Sequence, residues 1–330
     1  MVAEKRESLD FNKPLTTMVK NSNPPTVVLE PAIDPHDPAL YEGEIETTGV
    51  AGFGAVDDTR LASYRARGFL VIHGAFDEDA IRAARDELHR MAHSDDPQCD
   101  SVHYEGGIAK YVARRERLEA GKHMDKLVLG HVFDGLPGAS PEIRAGLLRK
   151  FMGFCAHHPP LAALAHHSEL LGILQRLVGE PLRLFQEMAL VKPPGGREKP
   201  WHQDHAYFNF PLDTRVVGVW IALDQVDVGN GCMVVLPGGH LQGPRIHFMR
   251  RDYQICDSEI HEQFQQRVAL PMQPGDLLLF DGKLPHGTPT NHTQGHRWAV
   301  QYHYVGESVR TDAEIDYREE FGSEGKNVTC

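Results

Sequence analysis

Residues 182–191, Leu-Arg-Leu-Phe-Gln-Glu-Met-Ala-Leu-Val, begin a long succession of short apolar runs in this chain. Further runs rich in Val, Leu and aromatic residues follow at 216–223, 232–236, 276–280 and 298–304. Turn sequences separate them, among them Gly229-Asn230-Gly231 and Pro274-Gly275-Asp276. Many short strands joined by Gly- and Pro-rich turns are typical of a β-sandwich or a barrel. The sequence therefore predicts a β half, a jelly roll mainly over residues 182–305.

The residues before this β half have helical periodicity, mainly over 77–178. Asp77 is placed to cap a helix with an apolar stripe made of Ile81, Ala84, Leu88 and Met91. The spacing of apolar residues predicts a helix over 141–154, and another that begins at Pro159-Pro160 and ends at Gly179. We expect a fold that is mainly β with flanking helices, in which a helical N-terminal half packs on the β half.

Residues 1–55 contain several Pro sites and few periodic apolar residues. This composition predicts an extended or flexible N-terminal tail, and a lid over a site is the alternative. Residues 56–330 are then expected to form a single domain, whose first element is a short buried strand at 68–72. Residues 94–140 have no clear pattern.

Composition limits the possible partners. The 330 residues are 41% hydrophobic and 24% charged, as in ordinary globular proteins. The formal net charge of −12 argues against nucleic acid or an anionic membrane as partner. No apolar run is long enough to cross a membrane, and the N-terminus lacks a signal sequence. Five scattered cysteines without a Cys-x-x-Cys pair predict free thiols and a reducing, cytoplasmic location. No pattern predicts the oligomeric state.

A possible metal site lies in Trp201-His202-Gln203-Asp204-His205. On an extended strand His202 and Asp204 point to the same side, because side chains alternate with a period of two. A second imidazole, His286, follows 84 residues later, and Arg297 comes eleven residues after it. Two His and one carboxylate on one face of an ion leave the opposite positions open, as in non-haem Fe(II) oxygenases.

A lone His-x-Asp is weak support, because chance produces it often in a chain with 20 His. The alternatives are a polar strand edge for the motif and an exposed barrel residue for Arg297. The metal hypothesis is favoured because the motif follows a strand and a Gly-rich turn. His286 likewise follows the predicted strand at 276–280, and Arg297 opens the next one.

An ordered set of motifs resembles the phytanoyl-CoA dioxygenase family over roughly residues 60–305. The set comprises Lys192-Pro193-Pro194, Trp201 to Phe208, Asn230 to His240, Pro274-Gly275-Asp276, His286 and Arg297. The resemblance implies an Fe(II)- and 2-oxoglutarate-dependent oxygenase on a double-stranded β-helix, with O2 as co-substrate. The first 55 residues have no counterpart in it.

The resemblance also implies roles for single residues. His202, Asp204 and His286 match the iron ligands, and Arg297 matches the residue that pairs with the far carboxylate of 2-oxoglutarate. The remaining implied co-substrate positions are Gln203, Trp220, Met188, Thr288 and Lys150. Plain core packing is the alternative for Met188 and Trp220. His205, Tyr207 and His303 are predicted on the substrate side, although strict alternation would place His205 opposite the ligands.

The expected reaction is hydroxylation of an unactivated C–H bond of a small molecule, with release of succinate and CO2. Halogenating members of the family lack the carboxylate, whereas Asp204 is present here. Desaturation or ring formation would use the same ligands. The competing functions are a Zn(II) hydrolase on a cupin-like barrel and a barrel that binds without catalysis. The substrate, an acyl-CoA or a free metabolite, stays open.

Overall fold

The structure is a computed structural model that describes residues 25–30, 34–105, 140–310 and 320–322. The α-helices within these ranges are α1 (Asp58–Arg67), α2 (Glu78–His93), α3 (Pro141–Leu147), α4 (Pro159–Ala165), α5 (Ser168–Val178) and α6 (Asp257–Gln263). The strands are β1 (Thr26–Glu30), β2 (Glu44–Ile45), β3 (Val50–Ala51), β4 (Phe69–His73), β5 (Ser101–Glu105), β6 (Leu148–Met152), β7 (Leu182–Lys192), β8 (Lys199–His202), β9 (Val217–Ala222), β10 (Met233–Val235), β11 (His247–Met249), β12 (Tyr253–Ile255), β13 (Val268–Leu270), β14 (Leu277–Asp281), β15 (His286–Thr288) and β16 (Arg297–Gly306).

The strands form one large and one small sheet, with a two-stranded ribbon of β11 and β12. The large sheet has the order β1-β5-β6-β7-β16-β9-β14-β4-β3, and the small sheet has the order β2-β13-β10-β15-β8. Most neighbours are antiparallel, whereas β1–β5, β3–β4 and β2–β13 are parallel. The molecule is therefore a mixed, sheet-rich fold with flanking helices, in agreement with the expected class at this level.

Alternation along the central strands gives the large sheet two apolar faces. In β14, Leu277 and Leu279 join a core that also contains the apolar sides of α1, α2, α4 and α5. Leu278 and Phe280, which point the other way, join a second core together with apolar residues of β10 and β13 from the small sheet. A strand that is buried on both faces reads as a continuous apolar run, as Leu-Leu-Leu-Phe does here.

The second core lies between the two sheets, and this arrangement positions the candidate site. The ligand-bearing strands β8 and β15 belong to the small sheet, whereas β16 with Arg297 belongs to the large sheet. Side chains of β16 at odd positions share the face of Ala299, which belongs to the inter-sheet core. Residues far apart in sequence therefore face one another between the sheets.

The predicted helix boundaries at Asp77 and Gly179 are confirmed. The Asp77 side chain accepts a hydrogen bond of 2.8 Å from the backbone N–H of Ala80 and so caps α2. Gly179 ends α5 in the left-handed conformation, with φ of 93°.

Two helix predictions are wrong in part. The helix predicted over 141–154 ends at Leu147, and 148–152 form strand β6 between β5 and β7. The apolar residues Leu147, Leu148, Phe151 and Phe154 fit a helical period, but hydrogen bonding to β7 determines the local structure. The helix predicted from Pro159 to Gly179 is two helices, because His167 adopts an extended conformation between them.

Part of the predicted N-terminal tail packs into the fold. Leu40 and Tyr41 belong to the inter-sheet core, and Val50 and Phe53 belong to the helix-side core. The division into a tail and a single domain stays a prediction. Residues 106–139, most of the segment without a pattern, lie outside the described residues.

Cys99, Cys155 and Cys232 are free thiols, as expected, but Cys256 is disulfide-bonded, so the prediction of free thiols is wrong there. Among the described helices, none combines the length and apolar character needed to cross a membrane.

Candidate metal centre

The strand that carries the His-x-Asp motif ends inside it. His202 is the last residue of β8, Gln203 keeps an extended conformation with φ −112° and ψ 128°, and Asp204 begins a 3-10 helix over Asp204–Tyr207. The prediction that both ligands lie on one regular strand is therefore wrong for Asp204. The extended Gln203 preserves the alternation, so His202 and Asp204 still meet.

His286 begins β15, which pairs with β8 so that His286 and His202 are direct neighbours. Their ring centroids are 4.2 Å apart. One ligand atom from each of His202, Asp204 and His286 lies within 4.8 Å of the others. In the part of the chain that the structure describes, this is the one such group of His, Cys, Asp or Glu residues. All three side chains are buried.

Backbone carbonyls orient both imidazoles. Nδ1 of His202 donates to the carbonyl oxygen of Pro200 at 2.7 Å, and Nδ1 of His286 donates to that of Leu284 at 2.9 Å. A neutral imidazole whose proton is on Nδ1 has its lone pair on Nε2. Both Nε2 atoms are therefore ready to bind a cation.

Electrostatics favour the protonation states that a metal needs. Burial, and then the charge of His202, lower the pKa of His286 to about 4, so this imidazole is neutral near pH 7. Burial alone would raise the pKa of Asp204. The imidazoles of His286, His303 and His202 that surround the carboxylate hold its pKa well below its ordinary value. The centre thus contains an ionised carboxylate beside the neutral imidazole of His286.

The two oxygens of Asp204 have different partners. Oδ1 lies 3.1 Å from Nε2 of His202 and 3.7 Å from Nε2 of His286. Oδ2 lies 2.8 Å from Nε2 of His303 and accepts a hydrogen bond of 3.2 Å from Nε2 of Gln301. His303, predicted on the substrate side, thus contacts the Asp204 carboxylate. Sequence reasoning missed Gln301, although its parity with Arg297 and His303 on one strand could have identified it.

Arg297 is a buried guanidinium, 2% exposed, with unused hydrogen-bonding capacity. Among the described residues its Nε and Nη1 have no hydrogen-bond partner, and Nη2 donates to the Gly231 carbonyl at 3.5 Å. Burial lowers its pKa to about 10, so it remains charged at pH 7. A buried cation with free N–H groups is suited to an anionic ligand, because unpaired buried donors are costly.

The Arg297 guanidinium lies over the ring of Trp220. It lies 5.4 Å from the ring centroid of Trp220, which is directly opposite Gln301 on the neighbouring strand. Met188 is opposite Gln301 on the other side, so the predicted residues Trp220 and Met188 flank Gln301 in one row. The Arg297 head group therefore shares the aromatic neighbour that is opposite Gln301 on the next strand.

Thr288 lies on β15 of the small sheet, and Lys150 lies on β6 of the large sheet. Thr288 ends β15, and its carbonyl accepts a hydrogen bond of 3.1 Å from Nζ of Lys192. Lys192 is the direct strand neighbour of Arg297. Lys150 is opposite Leu190, which is opposite Ala299, so it occupies the inter-sheet face two rows from Met188.

Gln203 is not brought to the co-substrate side. Its side-chain amide donates to the carbonyls of Gly243 and Lys283, and its Oε1 accepts from the backbone N–H of Arg245. Gln203 points away from the ligands because it lies between them on an extended segment. It connects two loops to the ligand segment.

The two other predicted substrate residues are in different environments. The His205 ring is fully buried and stacks on Phe321 at 6.0 Å. Tyr207 is 40% exposed, and its ring meets that of His202 edge-on at 5.7 Å. Its hydroxyl donates to the Tyr253 carbonyl and accepts from Nζ of Lys199. Tyr207 is thus the one of the pair that lies beside a ligand.

The profile of the phytanoyl-CoA dioxygenase (PhyH) family matches residues 64–299, which include His202, Asp204, His286 and Arg297. The chain belongs to the phytanoyl-CoA dioxygenase family. The peroxisomal phytanoyl-CoA dioxygenase of Bos taurus is 31% identical over 173 residues, which cover 48% of this chain and 48% of that protein. The chain thus spans about half the length of the curated relatives that it matches first.

Solved structures share the fold. The non-haem α-ketoglutarate-dependent carbocyclase SnoK from nogalamycin biosynthesis superposes with a TM-score of 0.54 at 21% identity, over 84% of this chain and 96% of that chain. EctD from S. alaskensis, solved with 2-oxoglutarate and 5-hydroxyectoine, superposes with a TM-score of 0.54 at 20% identity, over 85% and 84% of the two chains. At this identity the likeness concerns the fold.

Proposed function

We propose that this protein is a non-haem Fe(II)- and 2-oxoglutarate-dependent dioxygenase that hydroxylates an unactivated C–H bond of a small molecule. The observation that carries the proposal is the convergence of Nε2 of His202, Oδ1 of Asp204 and Nε2 of His286 in one buried centre. Family membership supports it, as do the carbocyclase and hydroxyectoine-bound proteins that share the fold.

The residues of the centre fit iron. Imidazole nitrogen and carboxylate oxygen suit Fe(II), whereas a site for a softer metal would contain thiolates. Three protein ligands leave coordination positions for a 2-oxo acid and O2. Zn(II) would accept the same ligands, but a hydrolase would leave the unpaired donors of Arg297 without a function.

The same residues fit 2-oxoglutarate. The free N–H groups of Arg297 suit its far carboxylate, which a planar guanidinium can hold through two parallel hydrogen bonds. Trp220 and Met188 would flank the carbon chain of 2-oxoglutarate. Thr288 and Lys150 are the remaining residues proposed to line the 2-oxoglutarate site. Gln203 has no place in this proposal, because its amide is used by loop carbonyls.

Bound iron would supply the activation of O2, coupled to decarboxylation of 2-oxoglutarate to succinate and CO2. The chain supplies geometry and a dry environment. The Pro200 and Leu284 carbonyls hold the imidazoles in the required tautomer. The Phe280 ring lies 5.0 Å from that of His286 and helps to exclude water from the ligand side.

Hydroxylation is favoured over halogenation because Asp204 occupies the position that a halide would need. Desaturation and ring formation would use the same metal ligands. Identification of the product therefore distinguishes these two reactions from hydroxylation. The net charge of −12 favours a small molecule over nucleic acid as partner. Substrate candidates, acyl-CoA thioesters and free carboxylic or amino acid metabolites, would be screened by the succinate that each releases.

Further parts of the proposal concern architecture and location. We propose that the two facing sheets form a double-stranded β-helix, with the helical N-terminal half packed on the outer face of the large sheet. The inter-sheet core and the largely antiparallel order support this. A cytoplasmic location is supported by three free thiols, whereas the disulfide at Cys256 is unusual there.

The first prediction tests the reaction class. With Fe(II), 2-oxoglutarate and O2, the protein is expected to form succinate, and Asp204→Ala is expected to lower the rate by at least about 100-fold, because a neutral side chain removes one of three ligands. Succinate and 2-oxoglutarate are measured by chromatography, with Zn(II)-loaded protein as the inactive control. Full succinate formation by Asp204→Ala would refute the proposal. Hydrolysis that requires Zn(II) would support the Zn(II) hydrolase. The absence of turnover with any metal would support a barrel that binds without catalysis.

A further inference from the structure

Two side chains of one strand contact the same carboxylate oxygen of Asp204. His303 and Gln301 are two residues apart on β16 and therefore point to the same face. Both present Nε2 to the same carboxylate oxygen, Oδ2, at 2.8 and 3.2 Å. A carboxylate only accepts hydrogen bonds, so His303 carries its proton on Nε2. The other oxygen, Oδ1, remains directed towards His202 and His286.

The His303 ring has little freedom to move. It is fully buried, and the rings of Phe185, Phe208 and Phe280 surround it at centroid distances of 5.8, 5.1 and 6.2 Å. Phe280 can reach this position because residue 218, opposite His303, is glycine: a Cβ there would lie 2.2 Å from Cζ of Phe280. The donor to Oδ2 is thus held in place by packing.

We propose that His303 and Gln301 are positioning residues that occupy Oδ2 of Asp204, so that this carboxylate binds the metal through Oδ1 alone. The inference deepens the proposed function and rests on it. A carboxylate with both oxygens free can bind an ion through both, which would fill one of the positions that the 2-oxo acid and O2 need. The pair on β16 therefore keeps the open side of the metal free.

The test is binding of Co(II) alone to the metal-free protein, followed by addition of 2-oxoglutarate without O2. Dissociation constants come from chelator competition, and the visible absorption of bound Co(II) reports the coordination. Gln301→Met and His303→Leu are each expected to weaken Co(II) about 10- to 100-fold, as is usual when a hydrogen-bond partner of a ligand is lost. Their spectra should also change, and His303→Gln, which restores a donor amide, should recover most of the affinity.

Tyr302→Phe is the matched control. Tyr302 lies between the two residues, faces the opposite side of β16 and donates a buried hydrogen bond of 2.8 Å to the Leu161 carbonyl. Its loss should lower the melting temperature without changing the Co(II) spectrum. If Gln301→Met and His303→Leu bind Co(II) within about threefold of the natural protein and with its spectrum, the inference is wrong.

The outcomes separate the two proposals. Failure of the natural protein to bind Co(II) would overturn the proposed function itself, whereas normal binding by both variants would overturn only the roles of Gln301 and His303. Should His303→Leu fail to fold, Gln301→Met decides alone, because Met has nearly the shape of Gln and removes only its polar groups.

Discussion

At the scale of single residues, the site depends on which polar atoms are satisfied. The Nδ1 atoms of His202 and His286 are bound to carbonyls, and Oδ2 of Asp204 is bound to His303 and Gln301. The atoms left over are the three that face one another. Arg297 likewise has unused polar atoms, since its Nε and Nη1 are buried without a partner among the described residues. A buried polar group with unused capacity is expected to gain a partner, such as a ligand, an ion or a water molecule.

Arg297→Met is expected to weaken 2-oxoglutarate binding about 30- to 150-fold, because a charge-assisted pair worth about 2–3 kcal/mol is lost. Calorimetric titration of 2-oxoglutarate into Mn(II)-loaded protein measures this. Arg297→Lys should recover only part of the affinity, since an ammonium cannot form two parallel hydrogen bonds. Unchanged affinity in the Met variant would mean that the far carboxylate binds elsewhere.

At the scale of elements, the pair β8–β15 determines the separation of the two imidazoles. Gly287, between His286 and Thr288, allows the close approach of these strands to the N-terminal segment. A Cβ at this position would lie 3.0 Å from Cε1 of Tyr41 and 3.1 Å from both the Lys199 carbonyl oxygen and the Trp201 backbone nitrogen. Two of these neighbours are backbone atoms, so they cannot move independently of β8.

Gly287→Ala is therefore expected to lower the free energy of unfolding by about 1–3 kcal/mol and to weaken metal binding, because it pushes β15 away from β8. Gly172→Ala in α5 is the control: it has open space around its Cβ position, and it should be neutral or stabilising by about 0.4–1 kcal/mol. Urea unfolding and Co(II) titration of both variants provide the measurements. Equal behaviour of the two variants would contradict this account of the strand pair.

At the scale of the whole molecule, the N-terminal segment braces the ligand-bearing sheet. The indole N–H of Trp201, next to His202, donates to the Leu40 carbonyl at 3.0 Å. The Tyr41 hydroxyl donates to the buried carboxylate of Glu198 at 2.5 Å. Leu40 itself is fully buried in the inter-sheet core. A segment with the composition of a tail thus contributes to the packing behind the metal centre.

Leu40→Ala is expected to lower the free energy of unfolding by about 2–5 kcal/mol, because it leaves a cavity between the sheets. Leu241→Ala, at a position 68% exposed, should change it by no more than about 0.5 kcal/mol. Chemical denaturation of the two variants measures the difference. A Leu40 variant as stable as the Leu241 variant would show that the segment does not contribute to the fold.

The sequence by itself determined which three candidate ligand residues to consider, a group that the structure brings together, and it determined the sheet-rich class, because both depend on local signals: residue type, alternation and turn composition. Even for Asp204, beyond the end of β8, the extended Gln203 was enough to preserve the alternation. Only the tertiary structure decided that residues 148–152 form a strand, that Gln203 faces away from the site, and that Gln301 and His303 hold Asp204. The physical reason is that strand pairing and the contacts of side chains between two sheets join residues about 100 positions apart, as in the Gln301–Asp204 bond, and no local pattern encodes that meeting.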